Sequence, residues 1–93
     1  MPALPDDEIA ARLAALDTWD REGDEIVRTY EHPSFPDAID FVTRVAALAE
    51  AANHHPDIDI RYRTVRIALT THDQGGLTDK DFALAGQIDA AVG

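Results

Sequence analysis

The chain has no cysteine, one serine and one lysine, and its longest apolar runs are only a few residues. Without cysteine there are no disulfides, no thiolate metal ligands and no cysteine nucleophile. The lone serine, Ser34, sits in no nucleophile elbow, so a serine triad is not supported either. Short apolar runs, and an N-terminus without a basic stretch leading into an apolar one, predict neither a transmembrane segment nor a signal peptide. Together with the missing cysteines they fit a cytoplasmic setting. Basic charge is scarce as well: eight Lys and Arg stand against eighteen Asp and Glu, for a net charge of -10. Such a surface repels phosphate backbones and anionic lipid heads, which argues against direct nucleic-acid and membrane partners.

What is present describes one ordered domain. With 93 residues, 45% hydrophobic and 28% charged, the composition is globular rather than disordered. A chain this short buries only a modest fraction of its surface, so self-association into a homo-oligomer is expected.

Pro5-Asp6-Asp7-Glu8 places acids at the positive end of a helix dipole, and Ile9, Leu13 and Leu16 recur at helical spacing, predicting a helix over residues 6–16. Trp19 belongs to a first strand. Arg21-Glu22-Gly23-Asp24 suits a hairpin turn, and Glu25 to His32 forms a second strand with Ile26 and Tyr30 on one side. His32, beside Pro33, reads as an exposed loop or strand-end histidine. Pro36 fits the first turn of the longest helix, over 36–52, whose face is lined by Ile39, Val42, Val45, Ala46 and Ala49. That helix stops near Asn53, ahead of Pro56.

Ile58, Ile60 and Tyr62 alternate with charged residues, and Val65, Ile67 and Leu69 alternate with Arg66, Ala68 and Thr70. This is the signature of two amphipathic strands, joined near Arg63-Thr64, with their apolar faces covered by helices. Thr78 with Asp81 three residues on makes an acid-bearing capping box for a last helix, with Phe82, Ala85, Ile88 and Val92 as its buried stripe. The predicted order is αββαββα: an α+β two-layer sandwich, a four-stranded antiparallel sheet covered on one face by three helices.

Three of the four histidines lie at two element ends, in Asn53-His54-His55-Pro56 and Thr71-His72-Asp73. By strand parity His72 shares a side with Arg66, Ala68 and Thr70, away from the core. A helix ending at His54 and a strand ending at His72 can converge on one cleft. Imidazoles with ordinary pKa values around 6.5 allow one to accept a proton while another donates, as a metal-free elimination or hydration requires. Asp73 or Asp57 is placed to fix a tautomer by accepting an imidazole N–H. Zinc binding competes with this reading, although the pattern lacks both a His-Glu-x-x-His pair and cysteine. A structural or binding role is the third possibility.

Glu50-x-x-x-His54-His55-Pro56, followed by Tyr62, His72 and Asp81, resembles the signature of the pterin-4a-carbinolamine dehydratase family. Thr71-His72-Asp73-x-Gly75-Gly76-Leu77-Thr78-x-x-Asp81 is similar to that family's entry into its last helix. The resemblance runs from Trp19 to the last helix, covering most of the chain. It implies a hydro-lyase that dehydrates a 4a-hydroxytetrahydropterin to the quinonoid dihydropterin, recycling a pterin cofactor, with no metal or organic cofactor of its own. It also implies His54, His55 and His72 as active-site imidazoles, with Asp81 and Glu50 in support. His54 and His72 are expected to form the acid–base pair, in either order, and His55 to orient the pterin. Animal-type members carry an aromatic residue where this chain has Ile58, so a ring-stacking contact is expected to be missing. Some members act instead as a dimerisation cofactor or as assembly chaperones for the carbon-fixing carboxylase, and a non-catalytic binding module is the alternative. Homodimers or homotetramers are the implied assemblies.

Overall fold

Period-two patterning around Val65, Ile67 and Leu69 produces the strand at the centre of the fold. In this computed structural model, which describes residues 2–92, the elements run α1 (Asp6–Ala14), β1 (Asp20–Glu22), β2 (Glu25–Glu31), α2 (Phe35–Ala52), β3 (Asp57–Arg61), β4 (Thr64–Leu69) and α3 (Asp79–Ala91). A one-turn 3-10 helix at His72–Gln74 lies between the last two. The sheet is antiparallel throughout, in the order β1-β2-β4-β3.

Register explains the two layers. Ile26 lies opposite Leu69, Tyr30 opposite Val65, and Ile58 opposite Ile67. Directly opposed residues share a face, so these six side chains line one side of the sheet. On that side Ile9 of α1, Phe41, Val45 and Ala49 of α2, and Leu84, Ala85 and Ile88 of α3 join them in one core cluster. Fully burying a side chain such as Phe41, Ile67 or Ile88 stabilises the fold by roughly 1.5–3 kcal/mol each. The α+β sandwich expected from the sequence is the observed fold. No helix among the described residues is long and apolar enough to cross a membrane.

The boundaries differ from expectation where local hydrogen bonding decides. Helix α1 ends at Ala14, not at residue 16, because the N–H groups of Ala15 and Leu16 turn back to the Arg12 and Leu13 carbonyls. Trp19 precedes β1 rather than lying in it, its N–H bonded to Leu16 O. Helix α2 starts one residue early because Ser34 accepts from the Asp37 N–H at 3.2 Å, making Ser34 the cap and leaving Pro36 inside the first turn. Val92 lies beyond α3 and is 39% exposed, so it is not part of the buried stripe, where Leu84 stands instead.

The expected cover over both amphipathic strands holds for β4 and fails at the outer end of β3. As the edge strand, β3 has a neighbour on one side only, and Ile60 is 40% exposed. Tyr62 belongs to the β3–β4 turn, at a positive φ of 54°, and not to the strand face.

At the far end of α3 one carboxylate draws in β2 and the segment that precedes β1. Asp89 accepts from Trp19 Nε1 at 3.0 Å, Arg28 at 2.5 Å and the Tyr30 hydroxyl at 2.7 Å. The Arg28 guanidinium also lies 4.3 Å from the Tyr30 ring centroid. Burial, with the Asp89 carboxylate accepting its hydroxyl proton and opposing its ionisation, pushes the Tyr30 phenol well above its ordinary value.

Removing the shared acceptor leaves two part-buried donors and a cation unsatisfied, so Asp89→Ala should destabilise the fold by roughly 2–4 kcal/mol, read from the urea midpoint. A raised folded-state value for Tyr30 means that the folded protein holds this proton more tightly than the unfolded chain. The associated stability is therefore complete below the ordinary value of 10.0 and is lost as pH rises past it. Phenolate absorbance on alkaline titration should show Tyr30 ionising only as the fold is lost, and Tyr30→Phe should abolish that late step.

Candidate functional site

Asn53 stops α2. It adopts the left-handed conformation, φ 50° and ψ 44°, its N–H bonds Glu50 O, and the next N–H, of His54, reaches back to Ala49 O at 3.0 Å. This pair of bonds is a Schellman motif, which asparagine tolerates better than other side-chain-bearing residues. The cap, one residue before the histidine pair, turns the chain so that His54 points inward, 9% exposed, while the His55 side chain stays 61% exposed.

The second corner is not a strand end. Strand β4 stops at Leu69, after which Thr70 bonds Asp24 O through its hydroxyl and Thr71 pairs with Gly76 in an isolated bridge. Between Thr71 and Gly76 the chain makes its 3-10 turn, closed by Gly75 at φ 73° with its N–H on His72 O. A Cβ at Gly75 would meet nothing within 4 Å, so its backbone conformation, not space, favours glycine there. His72 is exposed on this turn, and strand parity plays no part in placing it.

Both corners nevertheless open on one cleft of about 300 Å³, lined by Asn53, His54, His55, Thr70, Thr71, His72 and Asp73. The three histidines singled out from the sequence thus come together. The carboxylates divide differently. Asp73 lines the cleft without bonding an imidazole, and Asp57 sits opposite Ala68 at the start of β3 on the helix-free side of the sheet. Among the described residues the imidazole partners are Asp81 and Glu50: Asp81 Oδ1 lies 2.5 Å from His54 Nε2, and Glu50 Oε1 lies 2.6 Å from His55 Nε2.

Asp81 is completely buried. Its other oxygen, Oδ2, accepts from the Thr71 hydroxyl at 2.8 Å and from the Thr78 N–H at 2.9 Å. The last bond is half of the capping box at the start of α3, so one carboxylate both caps a helix and holds a histidine. An ionised carboxylate only accepts, so in both pairs the imidazole supplies the proton from Nε2, and in the neutral ring Nδ1 then keeps a lone pair. The Glu50–His55 pair is mostly exposed, with Glu50 78% accessible, and contributes little to stability.

His32 is remote from this cleft. It follows β2 at the other end of α2, whose 18 residues span about 27 Å. Its ring packs 4.8 Å from that of Phe41 and its Nε2 is buried without a partner among the described residues, so it is a half-buried histidine just past a strand end. No group of three or more His, Asp or Glu among the described residues is arranged to hold a metal ion. Thr71 was not singled out from the sequence, since a hydroxyl bonded to a carboxylate ten residues later has no spacing signature.

A two-layer α+β protein with a cleft of imidazoles, two of them carboxylate-bound, is the class that fold and site define. The family model described as "Pterin 4 alpha carbinolamine dehydratase" matches residues 2–91, and the chain belongs to that family. A relative in Chloroflexus aurantiacus, named "Putative pterin-4-alpha-carbinolamine dehydratase", is 63% identical over 100% of both chains. Another of the same name in Mycobacteroides abscessus is 54% identical over 100% of this chain and 99% of its own length. Among solved structures, a transcriptional coactivator/pterin dehydratase from Brucella melitensis superposes with a TM-score of 0.93 at 31% identity, covering 98% of this chain and 99% of its own. A pterin dehydratase-like protein described as a RuBisCO assembly factor in the alpha-carboxysome is similar at a TM-score of 0.70 and 25% identity, over 82% of this chain and 90% of its own.

Asp81→Ala should cost roughly 3–5 kcal/mol in a denaturant titration, because it strands the His54 N–H, the Thr71 hydroxyl and the Thr78 N–H in a buried place. Asp81→Asn keeps an acceptor for Thr71 and Thr78 but turns an NH2 towards His54. The expected result is a folded protein whose His54 has switched to the Nδ1–H tautomer, visible in imidazole nitrogen NMR shifts.

Proposed function

We propose that this chain dehydrates a 4a-hydroxytetrahydropterin to the quinonoid dihydropterin by histidine acid–base catalysis. The observation that carries the reading is the 2.5 Å contact between buried Asp81 and His54 Nε2 at the edge of a cleft shared with His72. The reaction breaks the C4a–O bond. The hydroxyl leaves as water after taking a proton from an acid, and N5 gives up its proton to a base as the N5–C4a double bond forms.

In this reading His54 Nδ1 is the base, because its Nε2–H is committed to Asp81, and the carboxylate stabilises the imidazolium that forms. His72, exposed and bonded to no carboxylate among the described residues, serves as the acid in its protonated form. His55, held by Glu50, orients the pterin, and Asp73 supports the substrate from the cleft wall. No metal or organic cofactor enters either proton transfer. Ile58 is half-buried against the core and offers no ring for stacking.

A non-catalytic role as an assembly chaperone or dimerisation cofactor draws on the solved relative described as an assembly factor. The cleft favours the enzyme, since a binding face does not require three imidazoles gathered on one opening. Exposed Ile60 on β3 and Tyr62 in the turn that follows it fit assembly into a homodimer or homotetramer. The cysteine-free, acidic chain suits the cytoplasm.

His54→Ala and His72→Ala should each lower turnover by about two to four powers of ten while circular dichroism stays that of the folded protein. Folded wild-type protein that does not accelerate loss of the 4a-carbinolamine above its spontaneous rate would overturn the reading in favour of partner binding.

A further inference from the structure

Two histidine corners from distant parts of the chain must keep a fixed spacing if protons are to pass on both sides of one pterin. His54 hangs from the end of α2 and His72 from an exposed turn closed by a glycine, so neither backbone alone provides that spacing. Between them lies a chain of buried hydrogen bonds whose proton directions can be worked out. Asp81 is acceptor only, so the Thr71 hydroxyl donates to Oδ2 at 2.8 Å. That spends the one hydroxyl hydrogen of Thr71. The 2.9 Å contact between the Thr71 and Thr78 hydroxyls must then run from Thr78 to Thr71. Thr78 accepts in turn from the Lys80 N–H at 3.3 Å. Every proton in the path Lys80, Thr78, Thr71, Asp81 has one direction, and the path meets the His54 N–H on Oδ1.

The Thr78 N–H alone would satisfy Oδ2 for helix capping, yet a single donor leaves the carboxylate free to pivot. The Thr71 hydroxyl approaches the same oxygen from a different element and fixes the plane, and with it the direction in which Oδ1 meets His54. Thr71 also anchors the other corner. It is 4% exposed, its N–H reaches Gly76 O at 3.1 Å, and one peptide bond separates it from His72.

We propose that Thr71 is a positioning residue that couples the two proton-transfer groups, holding His54 through Asp81 and His72 through the backbone. This rests on the dehydratase reading for its kinetic consequence, but not for its structural one. The hydroxyl itself is the active part, so shape alone should not substitute for it.

The test compares Thr71→Val, which keeps the shape and loses the hydroxyl, with Thr71→Ser, which keeps the hydroxyl. Thr78→Ala, one bond further along the path, is a second loss variant should Thr71→Val fail to fold. Imidazole NMR of the whole chain without substrate should show the His54 Nε2–H signal shifted or broadened in Thr71→Val, less so in Thr78→Ala, and unchanged in Thr71→Ser. With the carbinolamine substrate, kcat should fall about tenfold to a hundredfold in Thr71→Val with KM nearly constant, and Thr71→Ser should recover it. An unaltered His54 signal in folded Thr71→Val, or in folded Thr78→Ala where Thr71→Val does not fold, overturns the coupling whatever the activity. Inactive wild type with the NMR changes intact would sink the dehydratase reading and leave the coupling standing. A rise in KM at constant kcat, or Thr71→Ser behaving like Thr71→Val, also overturns it.

Discussion

The arrangement of the site depends on one buried carboxylate. Asp81 has no exposure to solvent and receives three donors from three segments: His54 after α2, Thr71 beyond β4 and the Thr78 N–H at the head of α3. An ionised carboxylate is expensive to bury unless its lone pairs are met by well-directed donors. That cost works in favour of specificity here. Only when all three segments are in place is the group satisfied, so the carboxylate assembles the cleft as well as supporting it.

Helix α3 is held at both ends in the same way. Asp81 ties its N-terminus to the histidine corner, and Asp89, two turns on, ties its other end to Trp19, Arg28 and Tyr30. Between these polar anchors Leu84, Ala85 and Ile88 pack into the core. The apolar contacts hold the helix against the sheet but permit sliding or rotation by a fraction of a turn. Two directional carboxylate sites remove that freedom, which matters when a 2.5 Å contact to His54 must be preserved.

Much of the architecture was legible because periodicity reports which face of an element is buried. Val65, Ile67 and Leu69 at period two became the central strand's core face, and Ile9, Val45, Ala49, Ala85 and Ile88 at helical spacing became core positions of the helices, although on α2 the buried stripe runs through Ala38 and Phe41 while Ala46 is exposed. The same rule misjudged β3. Alternation at Ile58, Ile60 and Tyr62 describes a two-faced strand but says nothing of its position, and an edge strand leaves the outer part of its apolar side open. The extent of β4 was overestimated for a related reason: Thr70 and Thr71 continue the pattern, while their hydroxyls and the Gly75 turn lead the chain away from the sheet.

For the site, residue types at element ends were enough to single out His54, His55 and His72, with Glu50 and Asp81 supplied by family likeness. Asp57 and Asp73 were as plausible for fixing a tautomer, being nearer in sequence to the histidines. Proximity along the chain did not settle the matter, because direction in space does: Asp57 faces the helix-free side of the sheet, whereas Asp81, 27 residues from His54, points straight at its ring. The sequence by itself determined the order of elements, the core faces and the capping box that commits Asp81 to Thr78, since each follows from local spacing. Tertiary structure alone decided that the free oxygen of that cap would meet His54 and that Thr71 would share it, because such bonds depend on where separate elements end in three dimensions.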